Sequence, residues 1–537
     1  MAEALEPTPP GSKIANVAQF GAIMTFCLGL SRVLGMLRDT VLAYRFGLGL
    51  EADSYRIAIQ LPDLIFMLIA GGGLSSAFIP VFSDLIHKNK EGQAWKVFSV
   101  VVTICSLIAV VVIAGVWLFA PNIVAFLSVG KDWHVIAPAT VMSRIMLPAQ
   151  FAFLVGSILL ATLYARKHFL APGLAPNVYN VGIILGALIL PPLLGLHIES
   201  MAWGALVGAF IGNLLIPGLV MARIGSHFKP SLDLKAEGVD RFFKLLLPVI
   251  LGFSLPSMVN LITQKFGSEY GWNGVNTVLA LSNNLMQAPL GIFGQALALA
   301  AFPVLAEYVA LNRMDRYRDQ ISRTLRTVLY LCIPSGALMW ALAPLIVHVL
   351  YGYGKAAQDQ HNLEAIVESL RIYCFAIFAW SMQPVLMRGF FSLHKTLKPI
   401  VVSTGMTIVF IGLCIAARYL STDYRLLPWA TDISAVGLAI VLYIALEKDV
   451  GRLDRKNIFM TMLLSGVASL VAGAAAYGLM QLFHPQRKFF EFADLIFIGL
   501  IGAWVYYFVT RAFKMPETDY IARIVNRVED RFRPKPK

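Results

Sequence analysis

Charge is scarce in this 537-residue chain: Asp, Glu, Lys and Arg together make up 14% of it, while 58% is hydrophobic. Soluble domains carry about 25% charged and about 45–50% apolar residues. Water could not solvate so much apolar surface, which excludes a string of soluble domains and indicates an all-α polytopic membrane protein. Cysteine is sparse as well. Cys27, Cys105, Cys332, Cys374 and Cys414 all lie in apolar stretches without CxxC spacing. They read as buried small hydrophobes, which excludes a disulfide scaffold.

The motifs of catalysis are missing too. No GxxxxGK[ST] occurs, and Gly352-Tyr353-Gly354-Lys355 has neither the spacing nor the hydroxyl of a P-loop. There is no HExxH, no cysteine–histidine metal spacing and no acidic cluster of the DDxxD kind. The sequence therefore predicts no catalytic residue, no metal and no cofactor. Any work done must draw on a gradient or on the membrane potential. Acidic residues are outnumbered, 31 against 44 basic, for a net charge of +13. In a soluble chain that excess would suggest nucleic acid; here the positive-inside rule accounts for it, and no nucleic-acid partner is expected.

Apolar runs of about 20 residues mark membrane spans. Fourteen are expected, at 14–37, 54–82, 97–120, 139–164, 172–194, 200–222, 242–264, 275–306, 322–350, 364–392, 399–418, 430–446, 458–482 and 491–513. The first thirteen residues hold Glu3, Glu6, three prolines and one lysine, a poor signal-peptide start, so the first span is expected to stay in the mature protein. With the N-terminus inside, 30 basic residues fall on the inner side and 11 on the outer. Arg32, Arg144 and Arg388 fall within spans. Both termini are thus expected in the cytoplasm. In the tail 516–537, Ile521, Ile524, Val525, Val528 and Phe532 follow helical spacing and Arg523, Arg527 and Arg531 fall elsewhere. That pattern predicts a basic amphipathic helix on the anionic inner leaflet.

The chain repeats itself. Ala120-Pro121-Asn122-Ile123-Val124 matches Ala343-Pro344-Leu345-Ile346-Val347, and Pro80-Val81-Phe82-Ser83-Asp84 matches Pro303-Val304-Leu305-Ala306-Glu307, both at an offset of 223. The stretch from Tyr164 to Pro172 matches Phe391 to Pro399 at 227. Six spans per repeat preserve orientation, so two parallel six-helix repeats plus two extra helices are expected. This is a transporter architecture, with a site near the midplane. The expected divisions are a cytoplasmic segment 1–13, an N-lobe 14–222, a C-lobe 242–446, spans 13 and 14 over 458–513, and the tail.

Ionisable groups inside spans are costly and mark function. Arg32 and Arg38 suit an anion such as a diphosphate, because guanidinium offers several hydrogen bonds in a fixed fork. Either could instead pair with Asp39 or Asp53. Pro62 and the run Gly71-Gly72-Gly73 in span 2 invite a hinge, or close packing through small residues. In span 8, Asn283, Asn284 and Gln287 place neutral amides in the membrane, with Asn283 and Gln287 on one face. They suit sugar hydroxyls or a peptide, or else bonds between helices. Arg144 and Arg388, at span ends, read as snorkelling.

Ser31-Arg32-Val33-Leu34-Gly35, Arg38-Asp39, Phe46-Gly47, Ala52-Asp53, Leu61-Pro62 and Ser75-Ser76-Ala77-Phe78-Ile79-Pro80 resemble the opening signature of the MurJ/MviN family. Further matches are Arg144-Ile145-Met146-Leu147-Pro148, Ala175-Pro176 with Asn180, Tyr353-Gly354-Lys355 and Lys398-Pro399. The resemblance implies a lipid II flippase of the multidrug/oligosaccharidyl-lipid/polysaccharide exporter superfamily, in the bacterial inner membrane. It implies alternating access by rocking of the two halves, a cationic cavity for an undecaprenyl-diphosphate-linked glycan, and a lipid-tail groove beside spans 13 and 14. Arg32, Arg38 and Asp53 match charged family positions. Membrane lipids are implied as partners, with cell-wall synthesis proteins, for a monomeric transporter. Departures are evident. Phe66 stands where the family has arginine, Gly71 where it has glutamate, and Asn283, Asn284 and Gln287 replace its Asp-Arg-x-x-Glu. Spans 7 and 11 lack the acids of the family's sodium site. The neutral span 8 keeps two alternatives open: an exporter of a different lipid-linked oligosaccharide, and a non-transporting cell-wall scaffold.

Overall fold

The structure, a computed structural model, describes residues 10–69, 73–166, 168–246, 258–482 and 488–518. Every long element among them is helical. The helices are α1 (Pro10–Phe46), α2 (Leu50–Ile69), α3 (Gly73–His87), α4 (Glu91–Leu127), α5 (Trp133–Met146), α6 (Ala149–Ala165), α7 (Leu170–Leu194), α8 (Glu199–Ala209), α9 (Ile216–Arg223) and α10 (Val259–Ser268). They continue as α11 (Val275–Pro289), α12 (Ala296–Ala310), α13 (Met314–Tyr351), α14 (Gln360–Cys374), α15 (Ile377–Ser392), α16 (Leu397–Leu420), α17 (Leu426–Val450), α18 (Arg455–Leu482) and α19 (Lys488–Ala512).

Among the described residues ten helices are long and apolar enough to cross a membrane, or eleven if the pair α14–α15, bent by 53°, counts as one span. The expected fourteen is thus not reached within the described residues. About half of span 7 falls on 247–257, and span 2 falls on α2 and α3 with 70–72 between them; both of those stretches lie outside the described residues. So do Gly71, Gly72, most of the 516–537 tail and most of the 1–13 segment. Gly73 begins α3, and Pro62 lies buried inside a continuous α2.

Two compact units emerge, residues 1–276 and 277–537. The stretch after 222 packs within the first unit. Phe242 and Leu246 belong to the same apolar core as Phe78, Phe82 and Trp95. Gly130, at φ +91°, lies so close to Ser268 that a Cβ there would stand 2.9 Å from the Ser268 carbonyl oxygen.

The repeat is visible in local geometry. The apolar helix 133–165 is interrupted between Met146 and Ala149, and its counterpart between Cys374 and Ile377, at an offset of 228. Arg144 lies over the Trp117 ring at 4.5 Å and donates Nε to the Trp117 carbonyl at 3.2 Å. Arg371 lies over Trp340 at 4.9 Å with the same bond at 3.3 Å. One arginine–tryptophan device is therefore built twice, at offsets of 223 and 227.

In the first unit α7 and α8 interlock through Gly182, Gly186, Gly204 and Gly208. A Cβ on Gly204 would sit 2.4 Å from the Gly182 carbonyl oxygen. Small residues let helix backbones touch where lipid offers no hydrophobic drive. At one end of this unit charged pairs lace the stretch 224–241, a loop and the first residues of the helix after it, to helix ends: Lys90–Glu237 at 2.7 Å, Lys96–Asp233 at 2.6 Å and Arg241–Asp84 at 2.9 Å. In the second unit α18 and α19 pack on α13. The Tyr506 hydroxyl donates to the Tyr330 carbonyl at 2.7 Å, and Arg326 Nε donates to Glu517 at 2.6 Å.

Candidate functional site

The first unit gathers charge around one carboxylate. Arg38 and Asp39 lie in the C-terminal third of α1, and Arg56 lies on α2. Asp39 Oδ1 accepts from Arg38 Nη2 at 3.0 Å, from Arg38 Nε at 3.2 Å and from Arg56 Nη2 at 2.9 Å. Arg38 Nη1 donates to Asn180 Oδ1 on α7 at 3.3 Å. Two guanidinium groups thus share one carboxylate and carry an excess positive charge. Asp63, two turns beyond Arg56, is solvent-exposed and within the electrostatic reach of Arg38.

The walls of this cluster are polar and incompletely satisfied. The Tyr55 hydroxyl, Arg56 Nε and both amide atoms of Gln60 are buried with no hydrogen-bond partner among the described residues. Gln60 is 3% exposed. Buried polar groups are nearly always paired, so a group of unpaired donors and acceptors beside a cationic pair is what a polar anionic ligand would complete.

Arg32 is exposed on α1. Six residues from Arg38, it lies about 120° away around the helix, so the two do not share a face. Asp53 is in a different setting altogether. Its carboxylate pairs with Lys131 at 2.7 Å, both side chains are 0% exposed, and Lys131 also donates to the Trp272 carbonyl at 2.6 Å. A sealed ion pair leaves no surface for a ligand in this conformation. Asp53 instead ties the start of α2 to the loop after α4.

The second unit holds Asn283, Asn284 and Gln287 half-buried on α11. Gln287 Nε2 donates to Asn283 Oδ1 at 2.6 Å, so the pair expected to share a face does. A π-helical turn, Leu290–Gln295, follows directly at Pro289; such turns gather at functional sites. Arg388 donates to the Gln295 carbonyl at 3.3 Å.

Sequence reasoning passed over Lys131, Gln60 and Asp432. Lys131 was one basic residue of a loop, and its partner is 78 positions away. Gln60 carries no charge to draw attention. Asp432 was legible: it is the lone acid between Leu426 and Leu446. Among the described residues no group of three or more His, Cys, Asp or Glu could hold a metal ion. A groove of about 660 Å³ on the first unit, walled by Val110, Trp117, Phe151 and Phe210, offers a polar headgroup nothing.

Comparison with known proteins gives the family. A protein of Haemophilus influenzae described as a probable lipid II flippase MurJ is 26% identical over 508 residues, covering 89% of this chain and 96% of its own. One of Thermotoga maritima, described likewise, is 26% identical over 503 residues, covering 93% and 98%. One of Burkholderia cenocepacia, described as lipid II flippase MurJ, is 27% identical over 393 residues, covering 71% and 74%. The fold matches a solved lipid II flippase MurJ in an inward closed conformation, with TM-score 0.75 and 22% identity over 92% of this chain and 98% of that one. It also matches an inward-facing multidrug resistance MATE family transporter of the MOP superfamily, with TM-score 0.68 and 15% identity over 80% and 98%. Arg38 and Arg32 precede the stretch matched by the family profile. That stretch, residues 42–497, matches the profile described as lipid II flippase MurJ, and the chain belongs to that family.

Proposed function

We propose that this chain is a lipid II flippase. It carries the polyprenyl-diphosphate-linked peptidoglycan precursor from the cytoplasmic to the outer leaflet of a bacterial inner membrane, by alternating access, with both termini in the cytoplasm. Family membership supports the reading. The observation that carries it is the convergence of Arg38 and Arg56 on Asp39 beside unpaired buried donors. A diphosphate competes for those guanidinium groups with more oxygens than one carboxylate offers. The energetics agree. Each negative charge moved outward across an inside-negative membrane gains about 2.3 kcal/mol per 100 mV, so an anionic headgroup runs downhill.

One observation favours a second reading, an exporter of a different lipid-linked oligosaccharide: the span 8 position is neutral. A single experiment addresses both. The chain, with membrane insertion verified, is expressed in a bacterium depleted of its only lipid II flippase, beside Asn283→Asp/Asn284→Arg/Gln287→Glu. Growth with the unmodified chain supports lipid II transport. Rescue by the charged variant alone means that headgroup preference has drifted. Failure of both moves the assignment to another glycan.

A further inference from the structure

Asp432 stands in the second unit two turns into α17, about 9 Å along the helix from Leu426 at 1.5 Å per residue. It is 3% exposed, and neither carboxylate oxygen has a hydrogen-bond partner among the described residues. Neither Arg38–Asp39–Arg56 nor the amides of α11 involve it directly. A structural aspartate in a membrane protein is paired with a cation or fully bonded; among the described residues this one has no cation and only the Trp380 Nε1 close by.

The neighbours come from three helices packed on α17. From α14 come Tyr373 and Cys374, both within the electrostatic reach of Asp432. Arg371 of the same helix is occupied by Trp340, through its carbonyl and its ring. From α15 come Trp380, whose Nε1 faces Asp432 and also lacks a partner, and Gln383, which donates to the Ala435 carbonyl at 3.3 Å. From α16 comes Cys414, close to Tyr373. No cation among the described residues pairs with the carboxylate. Burial without a partner disfavours the charged form.

We infer that Asp432 is a proton-binding site through which a pH gradient acts on transport. The reaction is carboxylate plus proton to carboxylic acid, with no other bond changed. A proton is the ligand that fits, because it needs one oxygen, whereas a metal ion needs several and the neighbours do not supply them. The surroundings also supply a response. Trp380 Nε1 is a donor that can turn to the carboxylate once the proton leaves. Tyr373 stands between Asp432 and the amides: its hydroxyl lies within reach of Thr431 and Asn283, and Asn283 is bonded to Gln287. A change of charge at Asp432 therefore reaches the α11 amides through one side chain.

The transport arm of this inference rests on the flippase reading; the proton-binding arm does not. Infrared difference spectra of the purified full chain are taken across pH, for wild type, Asp432→Asn and Asp432→Glu. Flipping of lipid II in proteoliposomes is then measured with an imposed pH gradient at clamped zero potential. The expected result is a protonated-carboxyl band that is lost in Asp432→Asn. The response of transport to the gradient should be abolished by Asp432→Asn and retained by Asp432→Glu. Absence of an Asp432-dependent band overturns the inference. So does a gradient response in Asp432→Asn equal to that of wild type. If wild type moves no lipid II, the flippase reading fails, and the infrared arm alone decides whether Asp432 binds a proton.

Discussion

The two units carry the same arginine–tryptophan stack and different interiors. In the first, α7 and α8 are clamped backbone to backbone by four glycines, and the polar centre is built of charges. In the second, the corresponding helices are α16 and α17. Gly405 and Gly412 on α16 face open space, and the polar centre is built of amides beside one buried acid. Duplication supplied the frame, and divergence separated a half with a closely packed helix pair and a cationic centre from one with a more open pair and a nearly neutral centre. In an alternating-access transporter the first half suits holding an anion. The second suits responding to conditions.

Substituting glycine should break this contrast most severely. Gly204→Val in the clamp drives side-chain atoms into the α7 backbone, and loss of folded protein is expected in thermal unfolding and expression assays. Gly405→Ala should be neutral, or stabilising by up to about 1 kcal/mol, since helix-interior glycine is costly. Next in size is the sealed pair. Asp53→Ala leaves Lys131 charged and buried and should cost about 3–5 kcal/mol; Asp53→Ala/Lys131→Met should recover much of it. Equal stability of the single and double variants would refute the sealed pair.

Arg38→Ala should abolish complementation of flippase depletion while leaving the melting temperature within a few degrees of wild type. The stacks should matter least to stability: Trp117→Ala and Trp340→Ala are each expected to lose about 0.5–1 kcal/mol from the cation–π contact, together with the packing of the ring. A marked inequality between the two would show that one copy of the device has acquired a second role.

Acid should act on the first unit's loop. Lys96, by hydrogen bonding, holds the Asp233 carboxyl below its ordinary range, and Lys90 does the same for Glu237. Carboxyls depressed on folding add stability above their unfolded values, and that stability is lost as pH falls through the folded ones. The loop should stay docked at neutral pH and loosen below about pH 4. Limited proteolysis within 224–241 as a function of pH would detect it.

Much of this was legible in the chain. Hydropathy gave the helices, because one dominant force sets their length. The repeat offsets read from short matches recur in the stacked arginines, and the helix interruptions follow within one residue of them. Arg38 was legible as a membrane cation, yet its partners were not. Asn180 is 142 positions away, and the choice of Asp39 over Asp53 depends on how α1, α2 and the 128–132 loop meet. The same holds for Asp53, whose partner Lys131 is set by tertiary packing. The packing of the stretch after 222 was hidden for a similar reason. Composition gives no sign that the stretch around Phe242 packs on α3 and α4.

All five cysteines are buried, the most exposed at 8%. Thiol reagents act on thiolates that meet water, so the unmodified chain is already a quiet background for labelling. A reporter cysteine placed beside Gln60 or Asp432 can be read from either side of the membrane without first stripping the native five. The motion of each unit can thus be followed in the chain as nature wrote it.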